Sequence, residues 1–421
     1  MKKYFIVTSI FFVFALMLTS CKRDKPESKS TVKQDIIINK VIFFIDNSGS
    51  MYGYVNQAND FKNTVVSLAY MPVFDNASKS FYFINGTSNS NQKSKIQTNY
   101  IGDDPAILKN KLNQPSFKIY GNNGFSDLNK MFEIALDSAK ENKISAIISD
   151  CIYDIGEEIN PLTTLKIETQ KTQEVFRKRL NKENIETIII KAYSKFDGRY
   201  CFASKNGSIQ IQNKIRPYYI LFFGKTELLN NYLTDANLAE EIEGKHEIAR
   251  FLTIDKNSVP YQAIYTPLNK GSFKNDHETN NKLIHAESNK HSKEFQFSIA
   301  VNFNSLPFSN SYLTTISNYN VNLNYSVLNV EVANKKINEV TNFKPTHIIT
   351  VFTNKNPCGN LEIILKNEIP NWIIETNIDN ENQIDNTHTF GFGLLTDAIS
   401  KAYTYKNTGK NITSLKIDIS N

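Results

Sequence analysis

Val41-Ile42-Phe43-Phe44-Ile45-Asp46-Asn47-Ser48-Gly49-Ser50-Met51 is the stretch on which the reading of this chain turns. Five consecutive apolar residues leave no polar face, so the strand they form is buried on both sides, as in a sheet covered by helices. The run stops at a carboxylate, Asp46, followed by hydroxyls at Ser48 and Ser50, with Gly49 allowing a tight turn. Such a loop offers three oxygens to one side. Hard divalent cations such as Mg²⁺ take oxygen ligands in near-octahedral geometry and usually keep some waters. The carboxyl end of a central strand is also where α/β folds place ligands. The bland alternative for the same residues is a polar turn capping a strand and a helix.

Outward from this stretch, Ile36 to Gln212 alternates short apolar runs with amphipathic ones, which predicts βαβ units around a mostly parallel sheet of the α/β class. Helices are expected at Asn59 to Tyr70, Asp127 to Lys140 and Leu162 to Leu180, and strands at Ser80 to Ile84, Ser145 to Ser149 and Ile185 to Tyr193. Two further loops carry oxygen-bearing residues at strand or helix ends. Gly124-Phe125-Ser126-Asp127-Leu128 precedes a helix, where Ser126 is equally readable as an N-cap. Ile147-Ile148-Ser149-Asp150-Cys151 ends a strand.

Together these three segments resemble the von Willebrand factor A family, whose metal-ion-dependent adhesion site opens with Asp-x-Ser-x-Ser after the first strand. Ser126 stands where the family supplies a threonine. Asp150 stands at the family's final aspartate, with Cys151 in place of the usual glycine. The resemblance covers under half of the chain and implies an α/β, doubly wound, mostly parallel sheet for 36–212. It implies that Asp46, Ser48, Ser50, Ser126 and Asp150 hold Mg²⁺, or Mn²⁺ or Ca²⁺, with one coordination position left for an acidic residue of a partner protein.

The N-terminus reads as an export signal. Lys2 and Lys3 precede an apolar run from Tyr4 to Leu18 that ends in Leu18-Thr19-Ser20-Cys21. The run is shorter than the roughly 20 apolar residues that span a bilayer. Its ending is similar to the bacterial lipobox, which implies that Cys21 becomes the first mature residue and carries acyl chains. The polar segment Lys22 to Gln34 then acts as a tether of at most about 45 Å. The expected location is the cell envelope, at the outer membrane or cell surface, with an envelope or surface protein as partner.

Arg216 to Gly224 is an apolar strand that either closes the first sheet or opens a connecting region over 213–292, with a short helix at Glu227 to Leu233. Past Ser292 the period changes to two. Phe295, Phe297, Ile299, Val301 and Phe303 alternate with polar residues, as do Val321, Leu323, Tyr325 and Val327, which predicts half-buried strands. Strands are also expected at His347 to Thr353, Leu361 to Leu365, Trp372 to Thr376 and Ser414 to Ile419, with a helix from Leu394 to Tyr403. Residues 293–421 thus read as a β-rich, sandwich-like domain.

The formal charge is only +6, two lysines of which lie in the segment read as removed, so composition gives no case for nucleic-acid binding. Cys151, Cys201 and Cys358 have no metal-type spacing. A Cys151–Cys201 bridge and buried thiols are both open. His246, His277, His285 and His291 are irregularly spaced, and 36–212 contains no histidine, no Gly-x-Ser-x-Gly and no Gly-rich phosphate loop. No catalytic residues are therefore assigned and the chain is not read as an enzyme. The function expected is metal-dependent protein binding, against a metal-independent envelope scaffold and, third, a hydrolase using Asp46, Asp150 and Asp154.

Overall fold

The computed structural model describes residues 37–421 except 57–58, 88–94, 125, 157–158, 205–206, 254–258, 277–278, 280, 307, 309, 335–340, 367 and 408–410. The signal, Cys21 and the Lys22 to Gln34 tether lie outside the described residues.

The apolar run is strand β1 (Lys40–Asp46), with Val41, Phe43 and Ile45 at 0 % exposure. It lies in a seven-stranded sheet with β2 (Ser78–Gly86), β3 (Ile96–Gly102), β4 (Lys143–Ser149), β5 (Glu186–Cys201), β6 (Ser208–Gly224) and β7 (His246–Phe251), in the order β3-β2-β1-β4-β6-β5-β7. The parallel part is β2-β1-β4, and every other neighbouring pair is antiparallel. The cause is the β5–β6 connection. Only 202–207 separate the two strands, too few for a crossover, so β6 folds back as a hairpin arm into the gap between β4 and β5. Helices Asp60–Tyr70, Leu128–Ser138 and Pro161–Lys182 stand close to where the sequence places them.

A boundary at 212 falls inside β6. The Arg216 to Gly224 run is a central strand of the first sheet, paired on both sides, and β7 extends that sheet to Phe251.

The C-terminal half forms two antiparallel-rich sheets around a second core. One holds β13 (Ser326–Val332), β14 (His347–Thr353), β11 (Phe295–Val301) and β8 (Tyr261–Ile264). The other holds β12 (Tyr319–Val321), β15 (Gly359–Lys366), β18 (Asn411–Ile419), β10 (Lys282–Glu287) and β9 (Ser272–Asn275). Phe295, Phe297, Ile299 and Ile349 of the first sheet pack with Leu361, Ile363, Leu415 and Ile417 of the second, so the sandwich is real.

Three details differ from the periodicity reading. β11 is buried along its whole length, because it is central and its polar alternates are bonded: Gln296 Nε2 donates to Leu268 O at 2.7 Å and Ser298 Oγ lies 3.1 Å from Thr266 Oγ1. The Val321 to Val327 alternation is broken. β12 ends at Val321, Leu323 takes φ +59, and β13 starts at Ser326 in the other sheet. Trp372 to Thr376 is not a strand but the helix Asn371–Thr376, opened by Pro370; five residues with three apolar ones at their start have too little period to separate the two.

The larger departure concerns 371–407. This segment, which carries the short pair β16 (Asn377–Ile378) and β17 (Thr389–Phe390), leaves the sandwich and joins the first core through Ile373, Phe390, Phe392, Leu395, Ile399 and Tyr403. Phe392 stacks on Tyr219 with centroids 4.0 Å apart, and the helix Phe392–Asn407 packs on Pro161–Lys182. β18 then returns to the sandwich, so within 293–421 the segment 371–407 packs on the first core and the flanking strands on the second.

Candidate functional site

β1 ends at Asp46 and the backbone turns at once, with Met51 N donating to Ser48 O at 3.0 Å. Asp46 is 1 % exposed. Its Oδ1 accepts from Ser48 N at 2.8 Å, the short-range bond by which an aspartate shapes the backbone two residues on, and its Oδ2 accepts from Ser149 Oγ at 2.7 Å. Ser48 Oγ and Ser50 Oγ lie 3.1 Å apart. Met51, wholly buried, pins the turn to the core.

β4 runs parallel to β1 with Ile148 opposite Ile45, which brings Ser149 and Asp150 beside Asp46. Cys151 follows with φ +55, its N donating to Ser149 Oγ at 3.0 Å. That left-handed conformation favours glycine, the residue the resemblance places there. The Cys151 thiol is buried, and burial raises it well above its ordinary range, so it packs rather than reacts.

The third loop is tied beneath the first. Asn123 O accepts from Gly49 N at 2.7 Å, and Asn123 Nδ2 donates to Asn47 O at 2.8 Å and Phe117 O at 2.8 Å. Asn47 Nδ2 donates in turn to Phe117 O at 2.9 Å and Tyr120 O at 3.0 Å. Asp127, not Ser126, caps the Leu128–Ser138 helix by accepting from Lys130 N at 3.1 Å. Ser126 instead lines a cleft of about 250 Å³ with Ser48, Ser50, Asp154 and the wall residues Cys201 and Ala203. Asp46 and Asp150 do not line it; they are buried.

The electrostatics follow from that burial. Desolvation, then the charge of Asp150, pushes the Asp46 carboxyl up to about 7. Asp150 is also raised by burial, against the Ser50 hydroxyl, Ile152 N and the Arg216 guanidinium, which favour its charged form. Arg216 is 2 % exposed, stacks on Tyr200 at 4.8 Å and donates from Nη1 to Asp385 O at 2.9 Å.

The five residues named from sequence are therefore brought to one place. Two desolvated carboxylates, both raised by burial and Asp46 also by the charge of Asp150, are relieved by a cation, and carboxylate and hydroxyl oxygens suit Mg²⁺, Mn²⁺ or Ca²⁺ better than Zn²⁺. Among the described residues no group of three or more His, Cys, Asp or Glu side chains is placed to hold a metal ion, and a site of two carboxylates and three hydroxyls is not of that kind. Among the described residues Cys151, Cys201 and Cys358 are free, without the Cys151–Cys201 bridge.

Sequence reasoning missed Ser149, Asn123 and Arg216. The signal for Arg216 was present: a lone cation opening a strand of seven apolar residues has to be buried with a partner. Ser149 and Asn123 act through β1–β4 pairing and loop contacts that no spacing displays. No protein-family model matches this sequence, and no curated protein does. Among the described residues no helix is long and apolar enough to cross a membrane.

Proposed function

We propose that this chain is a lipoprotein of the cell envelope, anchored through Cys21, whose first sheet is a von Willebrand factor A-like domain that binds a partner protein through a divalent cation. The observation that carries the reading is the layering of the site: hydroxyls of Ser48, Ser50 and Ser126 around one cleft, with the desolvated pair Asp46 and Asp150 buried next to it.

Asp46, Ser48, Ser50, Ser126 and Asp150 would hold Mg²⁺, and the ion supplies an electrophilic point for a carboxylate of the partner. The chain's own residues do the rest. Ser149 Oγ and Ser48 N fix the Asp46 carboxylate, Asn123 ties the first loop to the third, and Arg216 holds charge opposite Asp150.

Pull-down of envelope proteins from membranes, run in parallel with Mg²⁺ and with EDTA, tests this. Wild-type protein is expected to retain partners only with Mg²⁺, and Asp46→Ala to lose them in both conditions. Equal capture by Asp46→Ala and wild type, with and without EDTA, would sink the proposal and favour a metal-independent scaffold.

A further inference from the structure

One acidic residue far from the site in sequence reaches the wall of the cleft. Glu381 opens the short 3-10 turn Glu381–Gln383 inside the 371–407 segment and is 4 % exposed. Its Oε1 accepts from Ala203 N at 2.7 Å and Tyr200 Oη at 3.0 Å, and its Oε2 accepts from Ser204 N at 3.1 Å and Ser204 Oγ at 2.7 Å. Two successive backbone N–H groups and two hydroxyls converging on one carboxylate make an anion nest, here filled from within the chain. The nest and the cleft share residues: Cys201, Phe202 and Ala203 line the cleft, and Ala203 O accepts from Ile155 N at 3.1 Å, next to Asp154. The same segment is fastened a second time, by Asp385 O to Arg216, whose guanidinium stacks on Tyr200.

We propose that Glu381 is the positioning residue of the cleft: its carboxylate, seated in the Tyr200–Ser204 nest, fixes the wall that faces the Ser48, Ser50 and Ser126 hydroxyls and so sets access to them. The functional meaning of that access rests on the metal-binding reading above; the latch itself does not. Replacing the carboxylate with an amide puts an NH₂ group against donors, so the wall loses its anchor while the side-chain volume is kept.

Cys201, on the wall, reports the change. The full chain is treated with N-ethylmaleimide and modification at Cys201 is followed by peptide mass spectrometry, with Mn²⁺ binding measured separately by electron paramagnetic resonance. Glu381→Gln is expected to label at Cys201 at least fivefold faster than wild type with Mn²⁺ affinity unchanged within twofold, and Glu381→Asp, which keeps the charge, to restore most of the protection. Should Glu381→Gln fail to fold, Ser204→Ala and Tyr200→Phe each remove one bond to the carboxylate and are expected to speed labelling two- to threefold. Labelling within wild-type rates in the folded variants overturns the proposal. Absence of Mn²⁺ binding to wild type overturns the metal reading alone and leaves the labelling result standing.

Discussion

Both oxygens of Asp46 already accept a hydrogen bond, from Ser48 N and Ser149 Oγ, so its orientation is set before any ligand arrives. Elsewhere a buried carboxylate gives the protein a pH dependence. Glu186 is wholly buried at the start of β5; Arg250 Nη1 reaches its Oε1 at 2.6 Å while Oε2 has no hydrogen-bond partner among the described residues, and burial pushes the carboxyl from 4.5 up to about 7 in spite of Arg250. Between those two values the native chain holds a proton that the unfolded chain has released. The contribution is complete below about 4.5 and lost as pH rises to about 7, an effect on the order of 3 kcal/mol. Glu186→Gln is expected to flatten that slope: urea midpoints at pH 5 and pH 8 should differ less in the variant than in wild type, whatever the baseline cost of the change. At this scale the sequence is legible where function is local. Asp46, Ser48 and Ser50 lie within five residues, whereas Arg216 and Glu381 reach the site from 66 and 231 residues beyond Asp150.

At the scale of elements, the loop before the Leu128–Ser138 helix serves two roles at once. Asp127 caps the helix and Ser126, its neighbour, lines the cleft, so the cap holds Ser126 at the helix entry. Asp127→Ala is expected to cost about 1 kcal/mol of stability, measured by urea unfolding, and to weaken Mg²⁺ binding without touching a ligand. No change in either quantity would show that the cap is idle. Helices of 11 and 22 residues were readable because their apolar spacing repeats over several turns. The Asn371–Thr376 helix was not, and neither was the direction of β6, since an apolar strand carries no mark of which neighbours it pairs with.

For the whole molecule, the chain threads two cores twice. It builds the first sheet, crosses into the sandwich, returns through 371–407 to cover the first core and finishes with β18 between β15 and β10. Unfolding of either core therefore pulls on the other. Phe392→Ala, which removes a wholly buried ring stacked on Tyr219, is expected to destabilise the protein by roughly 3–5 kcal/mol and to lower the transitions of both cores together. Fluorescence from Trp372, on the first core, and amide hydrogen exchange in the sandwich strands β11 and β14, read by mass spectrometry, should report the same transition; separate transitions would refute the coupling.

By itself the sequence determined what short range controls: the doubly buried strand β1, the oxygen-rich turn that ends it and the long helices. Hydrophobic period and turn chemistry act over a few residues, and there they decide. Only the tertiary structure decided that β6 lies between β4 and β5, that 371–407 belongs to the first core, and that Glu381 and Arg216 stand at the cleft. Those outcomes depend on which buried surfaces meet and which buried charges find partners, and contacts of that kind between distant segments leave no period in the chain.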